Sequence, residues 1–381
     1  MIPLSTPNLS GNERKYLNEC IDTTFVSSVG AFVTRFEDLV AKVSGVRYAT
    51  ATSSGTTGLH TALMVCGVKR DELVIIPSYT FIATANAVAH CGAIPWCMEI
   101  DKESWTMSPQ LLREELENNT FYDGKDLFHK VSKQRVAAIM PVYTLGLPAD
   151  MDEIVAIAHK YSLPIIADAA AAIGAVYKGK PIGQVADVTV FSFNGNKTIT
   201  CGGGGMLVSD NEELINQAKH IATTARVGAE YDFDMVGYNY RMTNVQAAIG
   251  CGQIEHLDEF LEKKCQIRQR YDDEFRDYSL VQMFPKVDYA QGTCWFSGLV
   301  FDEKCKMNIY EVTEELRKKN IESKAFWKPV HLQVPYLNTP KSNLDFTERL
   351  WNRVLTLPCS THISDFELDE VIQTIKCMLE R

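Results

Sequence analysis

The 381-residue chain lacks several features that would class it quickly. Its 11 cysteines include no C-x-x-C pair, and no Cys/His cluster has zinc-finger spacing, so no metal site is expected. An odd cysteine count without a framework points to reduced thiols in a cytoplasmic protein. Cys91 and Cys97 are the closest pair along the chain, with Cys97 in a predicted strand. No uncharged apolar run approaches the roughly 20 residues of a membrane helix. The opening MIPLSTPNLSGNERKYL has no charged region leading into an apolar one, so no signal peptide is expected. Positive charge is short as well: the formal net charge is −10. That argues against a nucleic-acid backbone binder but permits a local basic pocket for a small anion. Short repeats and low-complexity segments are also missing.

What is present is ordinary globular material, 46% hydrophobic and 23% charged, in a chain long enough for two lobes. Residues 10–24 and 31–43 read as helices joined by FVSSVG. YATATSS (48–54) reads as a strand entering a turn, and GTTGLHTALMVCG (55–67) as a helix with Leu59, Leu63 and Met64 on one side. ELVIIP (72–77) and AIPWCMEI (93–100) read as strands around a helix, FIATANAVAH (81–90). VAAIMPV, PIIAD and VTVFSF are short apolar runs, with MDEIVAIAHKY (151–161) a helix between two of them. Strands alternating with helices predict an α/β fold with a mainly parallel central sheet covered on both faces. A long helix over about 243–275 should lead into a smaller α+β C-terminal lobe. The expected division is 1–245 and 246–381.

The most pointed stretch is FSFNGNKTITCGGGGM (191–206). Its lysine precedes its glycines, the reverse of a nucleotide-triphosphate loop. Asn-Gly marks a turn, and a solvated lysine at a turn is the ordinary reading. Other residues shift that balance. Asp168 closes a strongly apolar strand, where an unpaired carboxylate is costly. It either caps a following helix or pairs with a cationic ring nitrogen. SSGTTGLH (53–60) is a loop entering a helix, a place where backbone N–H groups and the helix dipole favour phosphate. Phe81 stands beside another strand end and is either core or a stacking surface for a flat ring. Lysine, acid, phosphate-binding helix start and aromatic together match pyridoxal 5′-phosphate.

The ordered segments GNERKYLNECIDTTFVSSVGAFVTRFE, ATSSGTTGLHTAL, PSYTFIATANAV, PADMDEI, ADAAAAIGA, FSFNGNKTITCGGGGM, GYNYRMTNVQAAIG and KPVHLQ resemble the DegT/StrS group of nucleotide-sugar aminotransferases across essentially the whole chain. The resemblance implies a fold-type I, aspartate-aminotransferase-like architecture and a homodimer with shared active sites. It assigns Lys197 the Schiff base and Asp168 the pyridinium contact. Phe81 takes the stacking position, and Gly55, Thr56 and Ser192 the phosphate site. Asn239 and Arg241, in GYNYRM, match a segment reaching the partner subunit's cofactor. Ser28, Trp327, Lys328 and His331 match segments that contact the nucleotide sugar. Ordinary readings remain beside these: core packing for Trp327, solvent for Lys328, a structural role for His331.

One departure stands out. Relatives carry Gln or Glu where this chain has Ala171. Relatives that eliminate a hydroxyl carry His at the lysine position, so Lys197 favours transamination. A cofactor-sensing regulator would need a basic DNA-binding segment, and none is visible. The implied reaction moves an amino group from L-glutamate to C4 of a nucleotide-linked 4-keto-6-deoxy sugar. UDP-4-keto-6-deoxy-N-acetylhexosamine is the first expectation, from the FNGNKTIT-GGGG loop with WKPVH. GDP-4-keto-6-deoxymannose is the alternative.

Overall fold

A computed structural model describes residues 1–380. Seven strands form the central sheet: β1 Tyr48–Thr52, β2 Leu73–Pro77, β3 Ile94–Met98, β4 Val136–Ile139, β5 Ile166–Asp168, β6 Val188–Ser192 and β7 Gly205–Ser209. Their order is β3–β2–β4–β5–β6–β7–β1, with β4 joined to β5 through parallel bridges Ile139–Ile165 and Val142–Asp168. Only β7 runs antiparallel to its neighbours. The mainly parallel sheet read from the apolar runs is therefore present. Its inner strands are buried along their length because helices cover both faces.

The helix Met151–Tyr161 has the bounds read from its 3.6-residue periodicity. The helix expected over about 243–275 is two helices, Asn244–Ile254 and Leu257–Phe275, broken at Glu255–His256. The first packs against Glu13–Asp22 and Ala31–Ser44 in the large lobe. The second spans both lobes: Leu257 and Phe260 join the large-lobe core, while Ile267, Tyr271 and Phe275 join the small-lobe core. The small lobe carries an antiparallel sheet of β8 Val281–Met283, β9 Ser297–Phe301, β10 Lys324–Ala325 and β11 Val354–Leu357, in the order β8–β9–β11–β10. Ile2 and Leu4 also belong to this second core. The N-terminus thus returns to the C-terminal lobe, which a division by sequence position could not show.

After β10 the chain crosses back over the large lobe. The Cys97 N–H donates to the Pro340 carbonyl (2.9 Å), and the Ser342 N–H to the Cys97 carbonyl (3.0 Å). Glu99 clamps the end of this crossing. Its buried carboxylate accepts from the N–H groups of Ile100 (2.9 Å), Phe346 (2.8 Å) and Thr347 (3.2 Å), and from the Thr347 hydroxyl. Charge-assisted bonds of this kind are the stronger class, and their loss strands buried donors. Glu99→Ala should therefore lower the urea midpoint of unfolding, with a loss on the order of 3 kcal/mol. An unchanged midpoint would remove the clamp from the account.

Candidate active site

A cavity of about 510 Å³ opens where the carboxyl ends of the parallel strands meet the small lobe. Open α/β sheets bind ligands at this edge. Gly55 and Thr56 arrive after β1, Phe81 after β2, Tyr143 after β4, Asp168 at the end of β5, and Ser192 and Lys197 at the end of β6. Trp295, Phe296, Phe326 and Trp327 of the small lobe form an aromatic wall opposite.

The helix Gly55–Val65 begins with a capping box. The Ser54 hydroxyl accepts from the Thr57 N–H (3.1 Å), and the Thr57 hydroxyl from the Ser54 N–H (3.0 Å). The N–H groups of Gly55 and Thr56 lie in the first turn, where a helix offers no carbonyl partner. Their position suits an anion. Glycine is required here by close approach. A Cβ on Gly55 would lie 2.7 Å from the Ser192 Cβ, and one on Gly205 would lie 2.4 Å from the Ser54 carbonyl oxygen. The last glycine of the GGGG run therefore lets β7 pass against the anion-facing turn. Gly202 and Gly204, with φ of +74° and +124°, make the bend before it.

Asp168 is buried. No helix follows it, so helix capping is not its role. One carboxylate oxygen accepts from the Thr84 hydroxyl (2.7 Å), the other from the Ala170 N–H (3.1 Å). Burial raises its pKa above the usual aspartate range, opposed by those two bonds and by the charge of Lys197. Lys197 is shifted the other way. Desolvation in the cavity wall lowers its pKa to about 8, while the Asp168 charge works to hold it up. A primary amine with a depressed pKa is both a nucleophile and a proton carrier near neutrality.

Of the residues singled out in the sequence, the fold brings Gly55, Thr56, Phe81, Asp168, Ser192, Lys197 and Trp327 to this cavity. Phe81 is 55% exposed, its ring centroid 6.2 Å from that of Trp327. Ser28, Lys328, Asn239 and Arg241 lie outside the cavity lining of their own chain. Ser28 is half-buried in the loop between the first two helices, and Lys328 is exposed. Asn239 bridges to Thr223, and Arg241 bridges to Thr52.

Of the two readings held for His331, sugar contact and structural residue, its surroundings favour the structural one. It is buried, with Nδ1 2.6 Å from the Ser78 hydroxyl and Nε2 3.1 Å from a Glu348 carboxylate oxygen. Both ring nitrogens serve the crossing segment that carries Trp327. Burial lowers its pKa, opposed by Glu348. Sequence reasoning also missed Thr84, Tyr143 and Trp295. Thr84 lay within the quoted FIATAN stretch without a signal tying it to Asp168. Tyr143 lines the cavity with a buried hydroxyl that has no protein partner. Ala171 lines it too, and its carbonyl accepts from the Thr293 hydroxyl (2.7 Å).

The sequence matches the DegT/DnrJ/EryC1/StrS aminotransferase family over residues 7–376. The chain belongs to this family. It is 35% identical to the GDP-perosamine synthase of Escherichia coli O157:H7, covering 98% of this chain and 97% of that one. EpsN of Bacillus subtilis strain 168, whose name gives it as a pyridoxal phosphate-dependent aminotransferase, is 35% identical over 98% of this chain and 95% of its own. A crystal structure of a family aminotransferase from Brucella abortus superposes with a TM-score of 0.88 at 26% identity, covering 97% and 96% of the two chains. The fold is the fold-type I aminotransferase architecture, and the protein is a pyridoxal phosphate-dependent sugar aminotransferase. The cavity fits that cofactor chemically, with a low-pKa amine, a buried carboxylate, free helix-start N–H groups and an orphaned phenol. Among the described residues no helix is long and apolar enough to cross a membrane.

In the cofactor-free protein, reactivity of Lys197 toward acetic anhydride should rise through about pH 8, as its amine loses its proton. Asp168→Asn should move that inflection lower, because the carboxylate is what favours the charged amine. An inflection near the ordinary lysine value of about 10.4 would contradict the desolvated site.

Proposed function

We propose that this aminotransferase aminates C4 of GDP-4-keto-6-deoxymannose with L-glutamate as donor. The observation that carries the choice is the 35% identity to a GDP-perosamine synthase over nearly the full length of both chains. It moves the GDP-linked sugar ahead of UDP-4-keto-6-deoxy-N-acetylhexosamine, which rested on the lysine loop and the WKPVH segment alone.

Bound pyridoxal phosphate supplies an electron sink for charge developing on the substrate carbon. Lys197 is the residue that would hold the cofactor covalently and, as a free amine, move the proton at that carbon. The desolvated cavity wall that lowers its pKa favours the neutral amine this step needs. Asp168 would keep the ring nitrogen protonated, its own carboxylate oriented by Thr84 and Ala170. The first-turn N–H groups of Gly55 and Thr56, with Ser192, would take the phosphate. Phe81 would stack on the ring, and Trp327 would meet the sugar nucleotide beside it.

A homodimer with shared sites fits the surface. Phe25, Val26 and Val29 in the loop after the first helix are exposed, as are Tyr231, Phe233 and Val236 near the GYNYRM segment. Apolar side chains clustered in this way favour burial against another chain. Asn239 and Arg241 would then reach the partner's cofactor, with Ser28 and Lys328 at the substrate entrance.

Three kinds of measurement test these assignments. Borohydride reduction of the holoenzyme should attach the cofactor to Lys197 in peptide maps, and Lys197→Ala should abolish turnover; a label elsewhere overturns the lysine. Mass-resolved products should then show kcat/KM at least about tenfold higher for the GDP keto sugar than for the UDP one, roughly 1.4 kcal/mol of transition-state preference. The reverse ratio restores the UDP substrate and leaves the enzyme class intact. For the dimer, mixing Lys197→Ala with an inactive Asn239 variant should restore some activity, since one hybrid site regains both residues. No recovery after verified subunit exchange counts against sharing.

A further inference from the structure

Within the aromatic wall, Trp295 touches the lysine directly. The Lys197 Nζ lies 3.6 Å from the centroid of the Trp295 ring. The indole is held from several sides. Its Nε1–H donates to the carbonyl of Asn196 (2.7 Å), the residue before Lys197. Its backbone N–H donates to the Leu145 carbonyl (3.3 Å). Its own carbonyl accepts from the Nζ of the buried Lys264 (3.0 Å) and from the Cys359 thiol (3.7 Å). The ring packs on Phe296, with centroids 4.3 Å apart, and only 3% of the residue is exposed. The buried Lys264 divides its donors between that carbonyl and the Cys359 sulfur (3.5 Å), a costly anchor for the backbone that carries the ring on which Lys197 rests.

We propose that Trp295 is a positioning residue for the transamination: its indole face holds the amine of Lys197 whenever that amine is not bonded to the cofactor. The inference rests on Lys197 being the cofactor lysine. A released lysine has a flexible four-carbon stem. Without a platform it would sample rotamers away from the carbon whose proton it must move, and near-attack placement accounts for much of such a rate. The aromatic face suits the task better than a second carboxylate would. It attracts the ammonium through the ring quadrupole and also packs against the neutral amine. A carboxylate would bind only the charged form strongly and would pull the pKa up. Asp168 is the acid that already acts on Lys197 in that sense. The hydrogen bond from the indole to Asn196 couples the platform to the lysine loop itself, so ring and amine keep register.

The test uses holoenzyme loaded with pyridoxamine 5′-phosphate, in which the Lys197 amine is free. Reductive ¹³C-methylation should give one dimethyl-lysine resonance shifted upfield of all others by the indole ring current. Lys197→Met should delete that signal. Trp295→Phe should keep part of the shift, and Trp295→Leu should return the resonance to the common envelope. In single turnovers with glutamate, Trp295→Leu should slow the half-reaction about tenfold, as expected for loss of a desolvated cation–π contact. The isotope effect with α-deuterated glutamate should grow and glutamate binding should stay unchanged, with Trp295→Phe falling between. A wild-type resonance inside the envelope overturns the inference. So does a folded Trp295→Leu protein with unchanged rate and isotope effect. If Trp295→Leu does not fold, Trp295→Phe decides: a reduced shift with an unchanged rate overturns the proposal. Borohydride labelling away from Lys197 would instead sink the cofactor assignment, so the two failures are distinguishable.

Discussion

A carboxylate and an amine share one desolvated place at the carboxyl ends of two adjacent parallel strands, and the rest of the site depends on that. Val190 pairs with Asp168 across β5 and β6, and Lys197 follows five residues beyond the end of β6. Burial pushes each group toward its neutral form, and each is partly held charged by the other. Neither shift is tolerable without structure around it. Thr84 and the Ala170 N–H hold the acid, and the Trp295 face meets the amine. An apolar sheet that buried these groups without partners would lose stability for no chemical return.

The surrounding architecture serves the same end. Glycine at 55 and 205 lets three backbone segments approach more closely than side chains would permit. The crossing segment after β10 is fastened at Ser78, Cys97 and Glu99, all at the ends of β2 and β3. It thereby carries Trp327 to the cavity rim and joins the small lobe to the large one. The helix Leu257–Phe275 does the same from the other side, with one end in each core. The aromatic wall is therefore held by both lobes.

Much of the fold was legible because its signals are local. Alternation of short apolar runs with 3.6-period segments marked the α/β class, and most elements fell within a few residues of their expected bounds. The long helix expected over about 243–275 was the clear miss: it breaks at Glu255–His256 while both sides of the break still pack in the large-lobe core. Lys197 stood out too, as part of a motif contained in 16 residues of chain. For His331 the motif left a sugar contact and a structural role open, because motif position says nothing about which partners a ring nitrogen finds, here Ser78 and Glu348.

What the sequence determined by itself, then, was the set of elements, the family, and the lysine, acid and helix start that mark the chemistry. The elements and the site motifs are each encoded over a span shorter than one strand–helix unit, where periodicity and turn preferences act, whereas the family resemblance is spread over nearly the whole chain. The tertiary structure alone decided which groups support them. Thr84 meets Asp168 across 84 residues, Trp295 meets Asn196 across 99, and His331 meets Ser78 across 253. Those contacts follow from strand order and lobe docking. The physical reason is that a side chain's partners are set by which strand ends lie side by side in the sheet, and strand order is a property of the folded chain that no single stretch of residues encodes.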